Sequence, residues 1–121
     1  GEAIMLNEKG NVAECTGDNL FIIKNGSVYT PFIADGALDG ITRAVIEELA
    51  EKLGVPFIEK SLTRYDIYTA DECFLTGTAA EVIPVVELDR REIGTGKPGD
   101  VTRRFLKAFH ELASTTGTPV A

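Results

Sequence analysis

The first third of the chain alternates short apolar runs with turn residues, which is typical of antiparallel β structure. Asn25-Gly26 is the strongest short signal for a two-residue hairpin turn, because both residue types tolerate a positive φ. Residues 27–30 are therefore predicted to pair with the run that precedes this turn. The strands predicted here are residues 3–6, 12–14, 19–24 and 27–30.

The pattern changes to a helical period in the middle of the chain. Over residues 42–53 apolar side chains recur three or four positions apart, which predicts an amphipathic helix that ends at Gly54. Residues 100–112 carry a second stripe of this kind, and residues 63–70 predict a shorter helix with Thr63 as its cap. The inward positions of the two long helices are Val45, Ile46, Leu49, Ala50, Leu53, Val101, Phe105, Ala108, Phe109 and Leu112.

Three further segments, residues 55–59, 72–75 and 82–88, predict strands between the helices. Pro84 marks the last of them as an edge strand or a bulge, because proline donates no ladder hydrogen bond. The tail, residues 114–121, is expected to fray. Together these elements predict a single α+β domain with a mixed, largely antiparallel sheet that curls toward a pseudo-barrel, and with two main amphipathic helices.

Length, charge and cysteine content narrow the function classes. A chain of 121 residues is long enough for one domain with its own core, and a net charge of −7 argues against nucleic acid or an anionic membrane as partner. No apolar run approaches the roughly 18 residues of a membrane span.

With only Cys15 and Cys73, we expect reduced thiols, a cytoplasmic location and no metal site. The start at Gly1, directly before an apolar stretch, indicates a cut through a longer protein.

Three segments carry patterns that could support chemistry. Glu14 ends a predicted strand before a polar turn, where a carboxylate is either a site residue or a solvated turn residue. Residues 39–43 (DGITR) open the clearest helix, where free N–H groups favour an anion; Asp39 or Thr42 as a simple cap is the alternative. Residues 75–81 (LTGTAAE) end a strand with two threonines around a glycine, which suits an anion-binding turn or an ordinary one.

The order of these segments resembles one family. The stretches EAIMLNEKGNVAECTGDNLFIIKNG, DGITRAVIEELAEKLGV, ADECFLTGTAAEVIPV and IGTGKPGDVTRRF are similar to the class IV aminotransferases, fold-type IV enzymes that use pyridoxal 5′-phosphate (PLP). That family includes branched-chain amino acid aminotransferases, D-amino acid aminotransferases and aminodeoxychorismate lyases. The block TGTAAEVIPV most resembles the branched-chain type. The resemblance covers nearly the whole chain, from Glu2 to about Ala113, and implies that residues 1–121 are the C-terminal, cofactor-cradling domain.

The resemblance implies a role for each segment. Glu14 matches the glutamate beside the PLP ring nitrogen, where a carboxylate favours the protonated ring and so a deeper electron sink. Leu38 matches a residue that packs near the ring. The remaining matches are the phosphate contacts Gly40, Ile41, Thr42, Gly77 and Thr78, and the substrate-carboxylate contacts Thr78 and Ala79.

The lysine that the family's reaction requires has no match in this chain. In the family that lysine bonds to PLP and moves a proton, and it lies upstream of the part that aligns with Gly1. The N-terminal domain, which supplies an arginine for the phosphate, is upstream as well. We therefore assign no catalytic residue and expect the chain alone to be inactive. The lysines present, all interpreted as surface residues, are Lys9, Lys24, Lys52, Lys60, Lys97 and Lys107.

The resulting hypothesis is a domain of a PLP-dependent aminotransferase that transfers the amino group of branched-chain amino acids to 2-oxoglutarate. The resemblance implies that the parent enzyme is a homodimer or larger. A D-amino acid aminotransferase or an aminodeoxychorismate lyase stays open, because most of the substrate pocket lies outside the chain. The alternative from another class is a noncatalytic domain that binds a phosphate metabolite or pairs with another chain.

Overall fold

A computed structural model describes residues 4–6, 12–15, 19–32, 41–76 and 82–116. The strands in these ranges are β1 (Ile4–Leu6), β2 (Val12–Cys15), β3 (Asn19–Lys24), β4 (Ser27–Thr30), β5 (Phe57–Glu59), β6 (Glu72–Thr76), β7 (Val82–Pro84), β8 (Glu87–Leu88) and β9 (Arg91–Glu92). The helices are α1 (Ile41–Leu53), α2 (Arg64–Tyr68) and α3 (Asp100–Thr116).

The central sheet has five strands, in the order β5-β4-β3-β6-β7. β3 is antiparallel to both β4 and β6, and β6 is antiparallel to β7, whereas β4 and β5 are parallel. The predicted α+β class with a mixed, largely antiparallel sheet is therefore confirmed. β1 pairs with β2, and β8 with β9, outside this sheet. Among the described strands β5 and β7 are the sheet edges, and closure toward a pseudo-barrel stays a prediction.

Pairs of residues with positive φ form the turns of two hairpins. Asn25 and Gly26 have φ angles of 50° and 79°, as a two-residue turn of the primed type requires, so the hairpin predicted between β3 and β4 is confirmed. Asp89 and Arg90 repeat this geometry, with φ angles of 52° and 65°, between β8 and β9. The sequence pattern missed this second hairpin because the pair lacks the glycine that usually marks such a turn.

One face of the central sheet packs against α1 and α3. Phe21 and Phe74 stack with ring centroids 5.0 Å apart, and Phe105 of α3 lies 5.5 Å from Phe74. Burial of this apolar surface is the main force that holds both helices on the sheet. Every inward position predicted for the two helices, except Leu112, belongs to this cluster or packs against it. Its buried members are Phe21, Ile23, Val28, Ile46, Leu49, Ala50, Val55, Phe74, Val82, Phe105 and Phe109.

The opposite face is covered by α2 and the segment around β8 and β9. Thr63 caps α2 through a reciprocal capping box with Asp66, which confirms the predicted cap. Arg64 and Tyr68 of α2 both donate to the carboxylate of Asp89, at 2.6 and 2.5 Å, and so fix the helix to the second hairpin. The buried residues on this face are Leu20, Ile22, Leu62, Ile67, Ala70, Cys73, Leu75 and Ile93.

The prediction of one strand over residues 82–88 is wrong, because the chain changes its pairing partner in the middle. The Val85 N–H still donates to the Cys73 carbonyl of the central sheet. The next carbonyl, of Val86, instead accepts from the Ile93 N–H. The segment is therefore divided into β7 in the central sheet and β8 in the outer hairpin.

Three other boundaries can be compared with the sequence pattern. Pro84 lies in β7, an edge strand, as predicted. The strand predicted over residues 55–59 is shorter and begins at Phe57. The last helix runs to Thr116 and so includes residues 114–116, which we expected to fray. Within the described ranges, no helix combines the length and the apolar character needed to cross a membrane.

Candidate functional site

Buried polar side chains replace the apolar core at one end of the helix-covered face of the sheet. Asn19 begins β3 and lies directly opposite Thr76, the last residue of β6. Both are buried, with 8% and 1% of their surface exposed, as is Thr30 at the end of β4. Because side chains alternate along a strand, all three lie on the same face as Phe21 and Phe74. The core therefore ends in a polar row made by Asn19, Thr30 and Thr76.

Two atoms of this polar row, Asn19 Oδ1 and Thr76 Oγ1, have no hydrogen-bond partner in the part of the chain that the structure describes. The Thr30 hydroxyl, in contrast, donates to the Leu20 carbonyl at 2.8 Å. Opposed side chains on one face of an antiparallel pair have Cβ atoms about 5 Å apart, so the two unpartnered groups are neighbours. An unpaired buried polar group costs roughly 1–3 kcal/mol. This end of the sheet therefore suits a ligand or water that carries polar groups.

The first turn of α1 has the properties of an anion-binding helix start. α1 begins at Ile41, and its first turn contains no acidic residue. The first amides of a helix have no intrahelical acceptor, and the helix dipole adds partial positive charge at that point. Thr42, the second residue, is buried, with 5% of its surface exposed. An anion here would be held by backbone N–H groups in a site shielded from water.

Arg43, the third residue of α1, attaches the helix start to the sheet. Its side chain is 8% exposed, and Nη2 donates to the Glu59 carboxylate at 2.8 Å and to the Pro31 carbonyl at 3.3 Å. The guanidinium carbon lies 6.0 Å from the centre of the Phe57 ring. Pro31 follows β4, and Glu59 ends β5. One buried side chain thus joins the first turn of α1 to both parallel strands.

The first turn of α3 is closed by a carboxylate of the chain itself. Glu72 of β6 accepts from the N–H groups of Thr102, at 2.7 Å, and Val101, at 3.3 Å. Gly99 precedes the helix, and a Cβ at that position would overlap the Glu72 carboxyl group. Among the described side chains, no carboxylate accepts in this way from the first turn of α1. Of the two long helices, α1 is therefore the candidate for binding an external anion.

The structure places three of the predicted site residues. Glu14 lies in β2, opposite Met5 of β1, and Ile41 and Thr42 are the first two residues of α1. Thr76, which directly precedes the predicted phosphate contacts at the end of β6, lies in the polar row. The roles assigned to these residues stay predictions. The predicted site residues outside the described ranges are Leu38, Gly40, Gly77, Thr78 and Ala79.

Five of the six lysines lie in the described ranges, and Lys9 does not. Lys24 is half-buried, and its Nζ donates to the Thr69 hydroxyl at 3.2 Å. Lys60 is exposed, with Nζ 5.8 Å from the centre of the Tyr29 ring. These positions agree with the interpretation of the exposed four as surface lysines. The other exposed ones are Lys52, Lys97 and Lys107.

The sequence pattern missed several residues that shape this region. Asn19 and Thr76 carried a usable signal, since each places a polar group two positions from a core phenylalanine of its strand, Phe21 or Phe74. The sequence shows Arg43 as part of the segment at residues 39–43, and nothing in that pattern indicates that its side chain is buried against the sheet. Glu72 carried no signal at all, because its partners Val101 and Thr102 lie 29 and 30 positions further along the chain.

Comparison with known proteins gives one consistent family. Residues 1–88 match the family model described as amino-transferase class IV. The chain is 50% identical over 113 residues to the branched-chain-amino-acid aminotransferase of Pseudomonas aeruginosa, which covers 93% of this chain and 36% of that protein. It is 44% identical over 111 residues to the protein of that name from Escherichia coli K12, with coverages of 92% and 36%.

Solved structures have the same fold. The branched-chain amino acid aminotransferase from Escherichia coli matches with a TM-score of 0.89 at 44% identity, over 92% of this chain and 38% of that one. The T.th. branched-chain amino acid aminotransferase complexed with N-(5′-phosphopyridoxyl)-L-glutamate matches with a TM-score of 0.88 at 42% identity, over 97% and 38%. The chain thus spans between 36% and 38% of the length of these relatives.

Proposed function

Because this chain belongs to the class IV aminotransferases, we propose that it is the C-terminal, cofactor-cradling domain of a PLP-dependent aminotransferase of the branched-chain type. The intact enzyme would transfer the amino group of a branched-chain amino acid to 2-oxoglutarate in the cytoplasm, as a homodimer or larger assembly. The observation that carries the proposal is the first turn of α1, which contains no acidic residue and donates to no carboxylate among the described side chains. It occurs in a chain that is 44–50% identical to proteins named branched-chain-amino-acid aminotransferase.

The residues present fit the anionic end of PLP. The amides of Ile41 and Thr42 lie at a helix start with no acidic residue in its first turn, and Thr42 adds a buried hydroxyl. Such a turn holds a phosphate through N–H donors and the helix dipole, with little competition from water. Gly40, Gly77 and Thr78 complete the proposed phosphate contacts.

The other proposed roles concern the ring and the substrate. When bound, PLP supplies an electron sink for the amino-acid α-carbon. Glu14 would hold a proton at the ring nitrogen, since a nearby carboxylate raises the pKa of a protonated heterocycle. Leu38 would pack near the ring, and Thr78 with Ala79 would orient the substrate carboxylate through backbone donors. No residue of this chain is assigned the proton transfer at the α-carbon, which we attribute to a lysine outside it.

A binding experiment tests the cradle in this chain. We would titrate the ¹⁵N-labelled chain with pyridoxine 5′-phosphate, which keeps the ring and phosphate of PLP but has no aldehyde to react with surface lysines. We expect saturable amide shifts that are largest at Ile41 and Thr42, with a dissociation constant on the order of 1 mM. Thr42→Val should weaken binding roughly three- to tenfold, because one hydrogen bond contributes about 0.5–1.5 kcal/mol.

Thr102→Val is the matched control for that experiment. Thr102 occupies the first turn of α3, is as well buried as Thr42, and has a hydroxyl without a partner in the described part of the chain. Its replacement should leave the dissociation constant unchanged. Shifts that avoid α1, or an equal effect of both substitutions, would contradict the proposed cradle.

Activity measurements test the reaction and the substrate class. The chain alone, given PLP, L-leucine and 2-oxoglutarate, should form no glutamate above the rate without protein, and steady turnover would contradict the assignment of the lysine elsewhere. The protein from the whole reading frame should form glutamate from L-leucine and not from D-alanine. A preference for D-alanine would point to the D-amino acid type. A reading frame without a lysine-bearing upstream domain would favour the noncatalytic alternative.

A further inference from the structure

Arg43 joins the first turn of α1 to the sheet through hydrogen bonds made by one guanidinium nitrogen. Its Nη2 atom is shared between the Glu59 carboxylate, at 2.8 Å, and the Pro31 carbonyl, at 3.3 Å. The side chain is more than nine-tenths buried, so it has little room to take another position. Glu59 balances the charge of Arg43, and Nε has no hydrogen-bond partner in the part of the chain that the structure describes.

Arg43 and its two partners lie in or next to three elements, α1, β4 and β5, whose alignment sets the direction of the α1 amides. Pro31 directly follows β4, Glu59 closes β5, and Arg43 itself lies one residue beyond Thr42. β4 and β5 are parallel and paired through residues such as Thr30 and Glu59, so they form one rigid unit. A charge-assisted hydrogen bond between this unit and the third residue of α1 restrains the rotation and height of the whole first turn.

Among the described side chains of α1, the apolar ones that pack on the core lie beyond the first turn. They include Ile46, Leu49 and Ala50, which are buried, and Val45, which is partly buried. Those contacts fix the middle and the end of the helix. Arg43 is thus the described residue that restrains the first turn by directional bonds to the sheet.

We propose that Arg43, held by Glu59 and the Pro31 carbonyl, is a positioning residue that sets the anion affinity of the α1 first turn. This inference rests on the proposed function, because it assumes that a phosphate binds at Ile41 and Thr42. A small misplacement of donors that act together at one anion weakens every hydrogen bond that they make. Loss of the restraint should therefore weaken phosphate binding more than it weakens the fold.

Four variants of the chain, titrated with inorganic phosphate and read at the Thr42 amide, test the proposal. Arg43→Met removes both hydrogen bonds and should weaken binding about tenfold, and Arg43→Lys, which can still reach an acceptor, should restore part of the loss. Glu59→Gln should weaken binding about threefold. Arg104→Met is the matched control: Arg104 Nη2 donates to the Leu53 carbonyl at the far end of α1, at 2.9 Å, and its loss should change affinity less than twofold.

Glu59→Gln distinguishes a positioning role from simple electrostatics, because the two predict opposite changes in phosphate affinity. Removal of a negative charge near the site would strengthen phosphate binding if only the local potential mattered. Loss of the charge that strengthens the bond to Arg43 would weaken phosphate binding if geometry mattered. A rise in affinity in Glu59→Gln, or an Arg43→Met affinity within twofold of wild type, overturns the proposal.

Each affinity should be measured at a temperature at which the amide spectrum shows that the variant is folded. A thermal unfolding curve of each variant reports its loss of stability separately. If Arg43→Met does not fold, Arg43→Lys and Glu59→Gln carry the test. If phosphate does not shift the Thr42 amide of the wild-type chain, both this inference and the proposed cradle fail. If the wild type binds but the Arg43 and Glu59 variants bind equally well, only the positioning role fails.

Discussion

The two long helices begin in similar ways and have different first turns. Each follows a glycine, and each first turn contains a β-branched residue, a threonine and an arginine nearby: Ile41-Thr42-Arg43 in α1 and Val101-Thr102-Arg103 in α3. In α3 the amides donate to Glu72 of the chain itself. In α1 the first turn holds no acidic residue, and its arginine is buried against the sheet.

This difference shows how one local pattern can serve structure in one place and binding in another. A helix start needs an acceptor for its first amides, and either a side chain or a ligand can supply it. Glu72 supplies it for α3, so the Val101 and Thr102 amides already have an acceptor from the chain itself. The α1 start has no such carboxylate among the described side chains, which is why we assign the proposed phosphate contact to it.

The largest expected effect tests whether Glu72 stabilises the α3 start. Glu72→Ala leaves the Val101 and Thr102 amides without their acceptor, which should lower the free energy of unfolding by about 1–2 kcal/mol. Urea unfolding followed by circular dichroism measures it. Glu72→Gln, which keeps an acceptor and loses the charge, should cost less. Glu111→Ala, an exposed glutamate on the same helix, should change stability by no more than about 0.5 kcal/mol.

A second prediction concerns Gly99 and tests whether it acts through the same cap. Gly99→Ala places a Cβ on the Glu72 carboxyl group and should displace it from the α3 amides, which would cost about 1 kcal/mol. Combined with Glu72→Ala, the loss should be clearly smaller than the sum of the two single losses, because both remove the same contact. Unfolding curves of the four members of this cycle measure the coupling. Additive losses would mean that Gly99 is required for another reason.

The smallest expected effect is phosphate binding at the first turns of the two long helices, and it tests the difference between them directly. In the wild-type chain inorganic phosphate should shift the Thr42 amide and leave the Thr102 amide in place. In Glu72→Ala combined with Asp100→Asn, the α3 start has neither its carboxylate acceptor nor an acidic residue in its first turn, so phosphate should shift Thr102 as well. The accompanying gain in stability is small, because phosphate at a concentration equal to its dissociation constant stabilises a protein by only about 0.4 kcal/mol. If Thr102 stays unaffected in this variant, an open helix start is not sufficient for anion binding in this fold.

Sequence patterns predicted the elements that depend on neighbouring residues. The two apolar stripes, the Asn25-Gly26 turn and the Thr63 cap were predicted because each is set within a few positions of the chain. The division of residues 82–88 between two sheets was not, because it depends on which strand lies beside Val85 and which beside Val86. The same reason explains why Asn19 and Thr76 could not be paired from the sequence, although each was visible as a polar residue.

The sequence by itself indicated the family, the order of the three helices and of the strands up to β7, and part of the candidate site. It marked the start of α1 as able to bind an anion, and it left capping as the alternative. Only the tertiary structure decided which helix start is already closed by the chain, because that depends on a carboxylate of β6 reaching α3 from 29 or 30 positions away. It also decided that Arg43 is buried against β4 and β5. Packing brings these groups together, and hydrogen bonds are short-ranged, so their partners follow from the fold and not from spacing along the chain.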